Sequence, residues 1–389
     1  MTVKSFKLLD TERNLNESAW QVGPREIGGK ADGYSVQKTT LRGGIREGVD
    51  IVEVDNGALR FTVVPTRGMG IWKGWLGDLE VGWKSPVHGP VHPQFVPITE
   101  PSGLGWLDGF DELLVRCGLD SNGAPEFDPR TGRLTYPLHG KIANKPAHFV
   151  EVLIDSDSAE ISVIGVVDEI RFHFGKLRMK TTITTMVGEP GFRVLDEVTN
   201  LSAGPGEMQL LYHVNFGRPI LDAGARLIAP IKTMAPSTSH AAKNIATWDT
   251  YSAEQLGFSE QVYLFELLAD NAGQSQVLLK NAGGSQGVSL RFPLQQLPCF
   301  TLWKDTATTE DGYVTGLEPG TNYPNPRSFE QEQGRVVKLA PGETKRFEVA
   351  LAVHDNSESV AAAEQAIARI QGNTQPQIFD KPQRGWTQV

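Results

Sequence analysis

The 389-residue chain is poor in cysteine, with Cys117 and Cys299 the only two. Two thiols build neither a disulfide framework nor a cysteine-rich zinc module. Long apolar runs are missing as well: nowhere do 18 consecutive apolar residues occur, which excludes an ordinary membrane-spanning helix. Positive charge is not in excess. Lys and Arg number 37 against 46 Asp and Glu, a net of −9, so no nucleic-acid partner and no anionic membrane partner is expected. The segment Met1-Thr2-Val3-Lys4-Ser5-Phe6 has no apolar stretch leading to a cleavage site, and a cytoplasmic location is expected. No Gly-x-Gly-x-x-Gly follows a strand, no Walker-type phosphate loop is present, and no βαβ rhythm is visible.

What is there is period-two alternation. Ile51–Val54 and Leu59–Val63 flank Asp55-Asn56-Gly57-Ala58, a strand, a turn and a strand. A longer series follows with Phe149–Ile154, Glu160–Val167, Lys176–Met186, Phe192–Asn200 and Gln209–Asn215, broken by turn-forming stretches such as Gly188-Glu189-Pro190-Gly191. Further strands are expected over Gln276–Leu279, Val288–Phe292, Phe300–Lys304 and Arg346–Val353. One helix stands out near the end: Ser359 as cap, a stripe of Val360, Ala363, Ile367 and Ile370, and Gly372 as stop. The 41 glycines and 24 prolines suit the many turns such a chain needs. The fold class expected is mainly β, a large antiparallel β-sandwich with few helices. Length alone suggests two or three domains, but no Pro/Ser-rich linker divides the chain. A single domain over 1–389 is expected, with an N-terminal appendage at 1–49 and a loose tail at 374–389.

Polar residues that interrupt strand alternation mark candidate sites. Arg67, in Val64-Pro65-Thr66-Arg67-Gly68, ends an apolar strand, where a guanidinium can donate to sugar hydroxyls or a carboxylate. Composition alone reads it as a rim arginine. The stretch from Trp106 to His139 keeps Trp106, Arg116 and His139 in what reads as a long loop; Arg116 reads equally as half of a structural ion pair. In Leu210-Leu211-Tyr212-His213-Val214-Asn215, alternation puts Leu211, His213 and Asn215 on one face. Two neighbouring polar groups there suggest a polar cavity, or a pair that satisfies itself. Glu318 lies among Gly and Pro residues before Pro319, as a rigid loop would hold a general base; composition alone reads it as a surface glutamate. His88-x-x-x-His92 has a metal-ligand spacing, but Pro90 and Pro93 exclude the helix that would align the imidazoles, and no metal is expected there.

Taken in chain order, these segments resemble the galactose-mutarotase-like superfamily, the aldose 1-epimerases, and within it a branch of uncharacterised bacterial proteins. Tyr212-His213-Val214-Asn215-Phe216-Gly217 is similar to the motif of the catalytic histidine. Gly316-Leu317-Glu318-Pro319 with Tyr323-Pro324-Asn325 is similar to the segment of the catalytic glutamate, and Pro137-Leu138-His139-Gly140 to a substrate-binding His-Gly motif. The resemblance covers about residues 50–355. It implies a supersandwich with the site on its concave face and a cofactor-free isomerase acting on free sugars; separately, no metal is expected. The departures are Tyr212, where asparagine commonly precedes the histidine in galactose mutarotases, and Lys141-Ile142-Ala143-Asn144 after His-Gly, where the hexose-phosphate branch has Phe-Ala-Arg. The usual Asn-Arg sugar-binding pair has no clean counterpart.

The expected reaction is sugar anomer interconversion, with Glu318 as base, His213 as acid, and Arg67, His139, Asn215, Trp106 and Arg116 as substrate-binding residues. A lyase, hydrolase or isomerase step on an oxidised (keto) sugar, and non-catalytic carbohydrate binding, are the alternatives. The partner expected is a small-molecule sugar, bound by a monomer or homodimer. Net charge favours a neutral sugar, with Arg67, Arg116 and Lys141 as a local basic exception.

Overall fold

The alternating segments form strands in the computed structural model, which describes residues 3–27 and 32–388. Phe149–Asp155, Glu160–Ile170, Lys176–Met186 and Gly191–Asn200 make an antiparallel meander, joined by Thr344–His354. The register lines up Val152, Val163, Ile183, Val194 and Val349 in a row across five strands. All five are fully buried. A slip of one residue would send that whole row to the outer face, so the apolar pattern fixes the pairing.

Among the described residues these strands belong to a ten-stranded sheet; a second sheet has fourteen strands, and Glu126–Phe127 pairs with Leu134–Tyr136 in a separate two-stranded ribbon. Leu210, Tyr212, Val214, Phe265, Phe300, Leu302 and Leu317 of the second sheet share one apolar core with the valine row of the first. The two inner faces therefore pack against each other as a β-sandwich. Each fully buried aliphatic or aromatic side chain contributes roughly 1.5–3 kcal/mol.

A buried ion pair ties the sheets together. Asp196, on Gly191–Asn200, receives Arg116 Nε at 2.9 Å on Oδ2 and Nη2 at 3.2 Å on Oδ1. Thr181 Oγ1 donates to the same carboxylate at 2.5 Å and the Tyr212 hydroxyl at 2.8 Å. Arg116 Nη1 donates to the Met69 carbonyl. Arg116 is thus spent between the sheets, and the expectation that it binds substrate is corrected: of its two readings, the structural ion pair is the one formed.

The ends of the chain pack more closely than the sequence suggested. Val3–Asp10 pairs with Phe149–Asp155, and Ser35–Thr40 with Asp50–Asp55, so the described part of the segment at 1–49 contributes strands to both sheets. In the expected loose tail, Gln377–Ile378 pairs with Ile231–Pro236, and Trp386 stacks on Tyr323 at 5.4 Å. The expected helix runs Ser357–Gln371 and ends at Gly372. Its cap is Asn356, whose Oδ1 accepts from the Ser359 amide, rather than Ser359 itself. No helix among the described residues is long and apolar enough to cross a membrane.

Among the described residues, Asp196 is the only acidic partner of the buried Arg116 guanidinium. Asp196→Asn is expected to lower unfolding free energy by about 3–5 kcal/mol, the usual cost of stranding a buried charge. Urea titration checks it, and an unchanged midpoint would contradict the role assigned to the pair.

Candidate active site

Alternation that sends Leu210, Tyr212 and Val214 of Gly206–Phe216 into the core sends Leu211 and His213 to the opposite face of the sheet. There Trp83, Trp106, Phe110, Val115, Cys117 and Leu211 form a second apolar cluster. On this face lies a cavity of about 320 Å³. It is at the small end of ligand cavities, which span roughly 300–1,000 Å³. His139, His213, Glu318, Trp106, Phe110 and Trp303 line it, with Glu260, Val262, Thr301, Leu104, Leu107, Leu138, Ala124 and Pro324.

Glu318 is not on a rigid loop as expected. It sits in the strand Tyr313–Gly320, paired on one side with Cys299–Thr306 and on the other with Gly206–Phe216. Leu317 points to the core, so Gly316 and Glu318 share the cavity face. Gly316 has a steric reason to be glycine. A Cβ there would come within 2.6 Å of Glu318 Oε1 and 2.9 Å of His213 Cε1.

His213 is oriented by Asn215. Nδ1 lies 2.6 Å from Asn215 Oδ1, while Asn215 Nδ2 donates to the carbonyls of Glu112 (3.0 Å) and His213 (3.2 Å). The amide's donors are thereby used, its oxygen must face the ring, and Nδ1 carries a proton. Nε2 is then the free ring nitrogen, 3.2 Å from Glu318 Oε1. Two lone pairs at that separation repel, so the pair holds one proton between them. The contact is close but not aligned as a hydrogen bond, and Oε1 has no other partner. Burial, and then the charge of Glu260, push the Glu318 carboxyl well above its ordinary value. Burial, and then His139, push His213 down to about 3 against the pull of Asn215. Both shifts favour the neutral forms, with the proton resting on Glu318.

His139 completes the floor. Its backbone is left-handed (φ +56°), and its Nδ1 lies 3.0 Å from the Asn122 carbonyl. Asn122 and Asn322 exchange reciprocal side-chain bonds at 2.9 and 2.8 Å, which join the loop under His139 to the end of the Glu318 strand. Gly123 permits the junction, since a Cβ there would sit 2.0 Å from the Asn325 carbonyl oxygen. Rings surround His213: Phe110 at 5.2 Å, His139 at 5.4 Å, Trp303 at 5.5 Å and Trp106 at 6.1 Å between centroids.

The structure brings His213, Glu318, His139 and Trp106 together, as the sequence reading had them. It does not bring Arg67 or Arg116. Arg67 is buried with Nε 2.6 Å from Glu112 Oε1, Nη1 donating to Asn144 Oδ1 at 2.5 Å and Nη2 to the Gly109 carbonyl at 2.9 Å. Its donors are spent inside the protein, which corrects its expected substrate-binding role. Asn215 is likewise corrected. It lies behind His213, fully buried, and positions the ring instead of facing the cavity. Sequence reasoning missed Glu260, Trp303, Thr301, Phe110 and Gly316. A signal existed for Gly316, a glycine inside a strand, which marks close approach of neighbours.

Comparisons with known proteins agree with this architecture. Residues 46–353 match the family model described as "Domain of unknown function (DUF4432)". A solved structure from Klebsiella pneumoniae, described as a "putative aldose 1-epimerase", superposes with a TM-score of 0.94 at 37% identity, covering 98% of this chain and 99% of that one. A galactose mutarotase-like protein from Clostridium acetobutylicum aligns with a TM-score of 0.57 at 15% identity, over 87% of this chain and 100% of that one. Galactose 1-epimerase from Lactobacillus acidophilus gives 0.54 at 14%, over 82% and 99%. The last two likenesses show the fold alone. No curated protein matches.

Burial lowers His139 to about 4 from an ordinary 6.5, despite its bond to Asn122. Below about pH 6.5 the unfolded chain binds a proton that the folded chain refuses. Stability contributed by this neutral histidine is therefore full above pH 6.5 and lost as pH falls toward 4. His139→Gln is expected to flatten the fall of urea stability between pH 6.5 and 4.5; an unchanged slope would contradict the burial assigned to this ring.

Proposed function

The chain belongs to the DUF4432 family, built on the galactose-mutarotase-like fold, and we propose that it is a carbohydrate-active isomerase that interconverts sugar anomers with the His213–Glu318 pair. The observation that carries this reading is the approach of His213 Nε2 and Glu318 Oε1 to 3.2 Å, both in the lining of a small cavity. Anomer exchange needs one proton removed from the anomeric hydroxyl and one delivered to the ring oxygen. Both oxygens are attached to the same carbon. A donor and an acceptor 3.2 Å apart reach two oxygens so placed without moving the sugar.

With the proton resting on Glu318, the first step runs with Glu318 as donor to the ring oxygen and His213 Nε2 as acceptor from the anomeric hydroxyl. This is the reverse of the roles expected from the sequence. The C1–O bond to the ring oxygen breaks and the C1 carbonyl forms. Rotation about C1–C2 presents the other face, and closure returns each proton by the reverse path. Asn215 supports the imidazolium that forms, because Nδ1–H already donates to its amide oxygen. His139 Nε2 is a second acceptor for a sugar hydroxyl, since Nδ1 is turned to the Asn122 carbonyl. The Trp106 and Trp303 rings offer apolar faces to the C–H surface of the ring. The His213 and Glu318 side chains are nearly closed to solvent, with 5% and 3% of their surface exposed.

Each positioned proton transfer is worth about 10²–10⁴-fold. In exchange-NMR measurements of anomer interconversion across a panel of aldoses, Glu318→Gln and His213→Ala are each expected to lose most of the acceleration while staying folded. Wild-type rates in both folded variants would overturn the assignment, as would acceleration of no aldose by the wild type. Gly316→Ala, which pushes a methyl group between the two side chains, is expected to slow exchange by at least tenfold with the fold kept; an unchanged rate would show that their juxtaposition does not matter.

A further inference from the structure

The cavity has an acidic mouth and, among the described residues, no lysine or arginine in its lining. Among the described residues lining it, the ionisable groups are His139, His213, Glu260 and Glu318, with no Lys or Arg. Cations do occur nearby, and each is committed elsewhere. Arg67 is bound to Glu112, Arg116 to Asp196, and Lys141 lies 3.5 Å from Asp120. Lys304, one residue beyond Trp303, faces away and donates to the carbonyls of Thr247, Trp248 and Thr250 at 3.0, 3.0 and 2.8 Å. The local basic exception suggested by the sequence does not form in the cavity.

Glu260 is the one carboxylate at the mouth that solvent reaches. It is not loose: Trp303 Nε1 donates to Oε2 at 2.7 Å, so the indole that walls His213 also holds this carboxylate at the rim. Oε1 is left for a ligand. A hydroxyl can donate to it, and an ammonium donates more strongly, since charge-assisted hydrogen bonds are about twice as strong as neutral ones. A phosphate, sulfonate or carboxylate entering the same mouth meets a fixed like charge that no Lys or Arg of the cavity lining offsets.

We propose that Glu260 sets the charge class of the ligand: the cavity takes sugars that are uncharged or carry an ammonium group, and turns away those with a phosphate, sulfonate or carboxylate. This rests on the reading of the cavity as a sugar site and adds to it a specificity-determining residue.

The test is ligand-observed NMR titration with three sugars in each of two series: glucose and galactose, their 2-amino-2-deoxy forms, and their uronic acids. In at least one series the wild type is expected to bind the amino sugar as tightly as the parent or tighter, and the uronic acid about tenfold or more weaker. Glu260→Gln is expected to erase the preference for the amino sugar and to narrow the gap to the uronic acid. Glu260→Lys is expected to reverse the order. Equal binding of uronic acid and parent sugar by the wild type overturns the proposal, as does the wild-type order persisting in Glu260→Gln, or binding of no member of either series. Anomer exchange followed in the same samples separates the two readings. The expected binding order without acceleration counts against the acid–base chemistry alone, whereas acceleration without charge selection counts against Glu260 alone.

Discussion

Two lone pairs that face each other at 3.2 Å in a buried cavity repel, and much of the site follows from that constraint. The Asn215 amide oxygen takes the Nδ1 proton of His213, leaving Nε2 bare toward Glu318 Oε1. That repulsion is relieved when the pair carries one proton. Burial disfavours a charge on either group, so the neutral acid and the neutral base coexist. The supports extend outward in a line. Asn215 is fixed by the Glu112 carbonyl, the Glu112 carboxylate is held by Arg67, and Arg67 is held by Asn144 and Gly109. An arginine that looks from the sequence like a sugar ligand turns out to stand at the back of this line, orienting the imidazole through two intermediates.

The sandwich supplies the rigidity that such a pair needs. His213 and Glu318 lie on neighbouring antiparallel strands, whose alternate residues Val214 and Leu317 are paired and buried in the common core. Shifting either strand by one residue would bury a polar group and expose an apolar one, so the core fixes the spacing of the pair. Gly316 then leaves the gap the two side chains occupy. His139 comes from a loop, where precision is harder to obtain. It is obtained through the reciprocal Asn122–Asn322 bonds, which tie that loop to the strand carrying Glu318.

Strand alternation was legible because it is a local signal. Lys176–Met186 has its expected bounds, and the split of Leu211, His213 and Asn215 from Leu210, Tyr212 and Val214 followed from period two alone. The partners of Arg67 and Arg116 were not legible. Glu112 is 45 positions from Arg67 and Asp196 is 80 from Arg116, and no local pattern says which distant acid a guanidinium will meet. Glu318 was placed in a loop because glycine and proline around it read as turn chemistry. Tertiary pairing on both sides overrode that preference, and the glycine served packing instead. Glu260 was missed for the opposite reason: an exposed glutamate before a strand carries no signal until its neighbour Trp303 is known.

The central claim is that His213 and Glu318 are both neutral, with the ring proton of His213 on Nδ1. The ¹⁵N chemical shifts of the His213 ring test it most directly, recorded at neutral pH on protein labelled at histidine and assigned with a His213 variant. The account predicts a protonated Nδ1 and an unprotonated Nε2 of a neutral imidazole. An imidazolium, or a neutral ring protonated at Nε2, would contradict it.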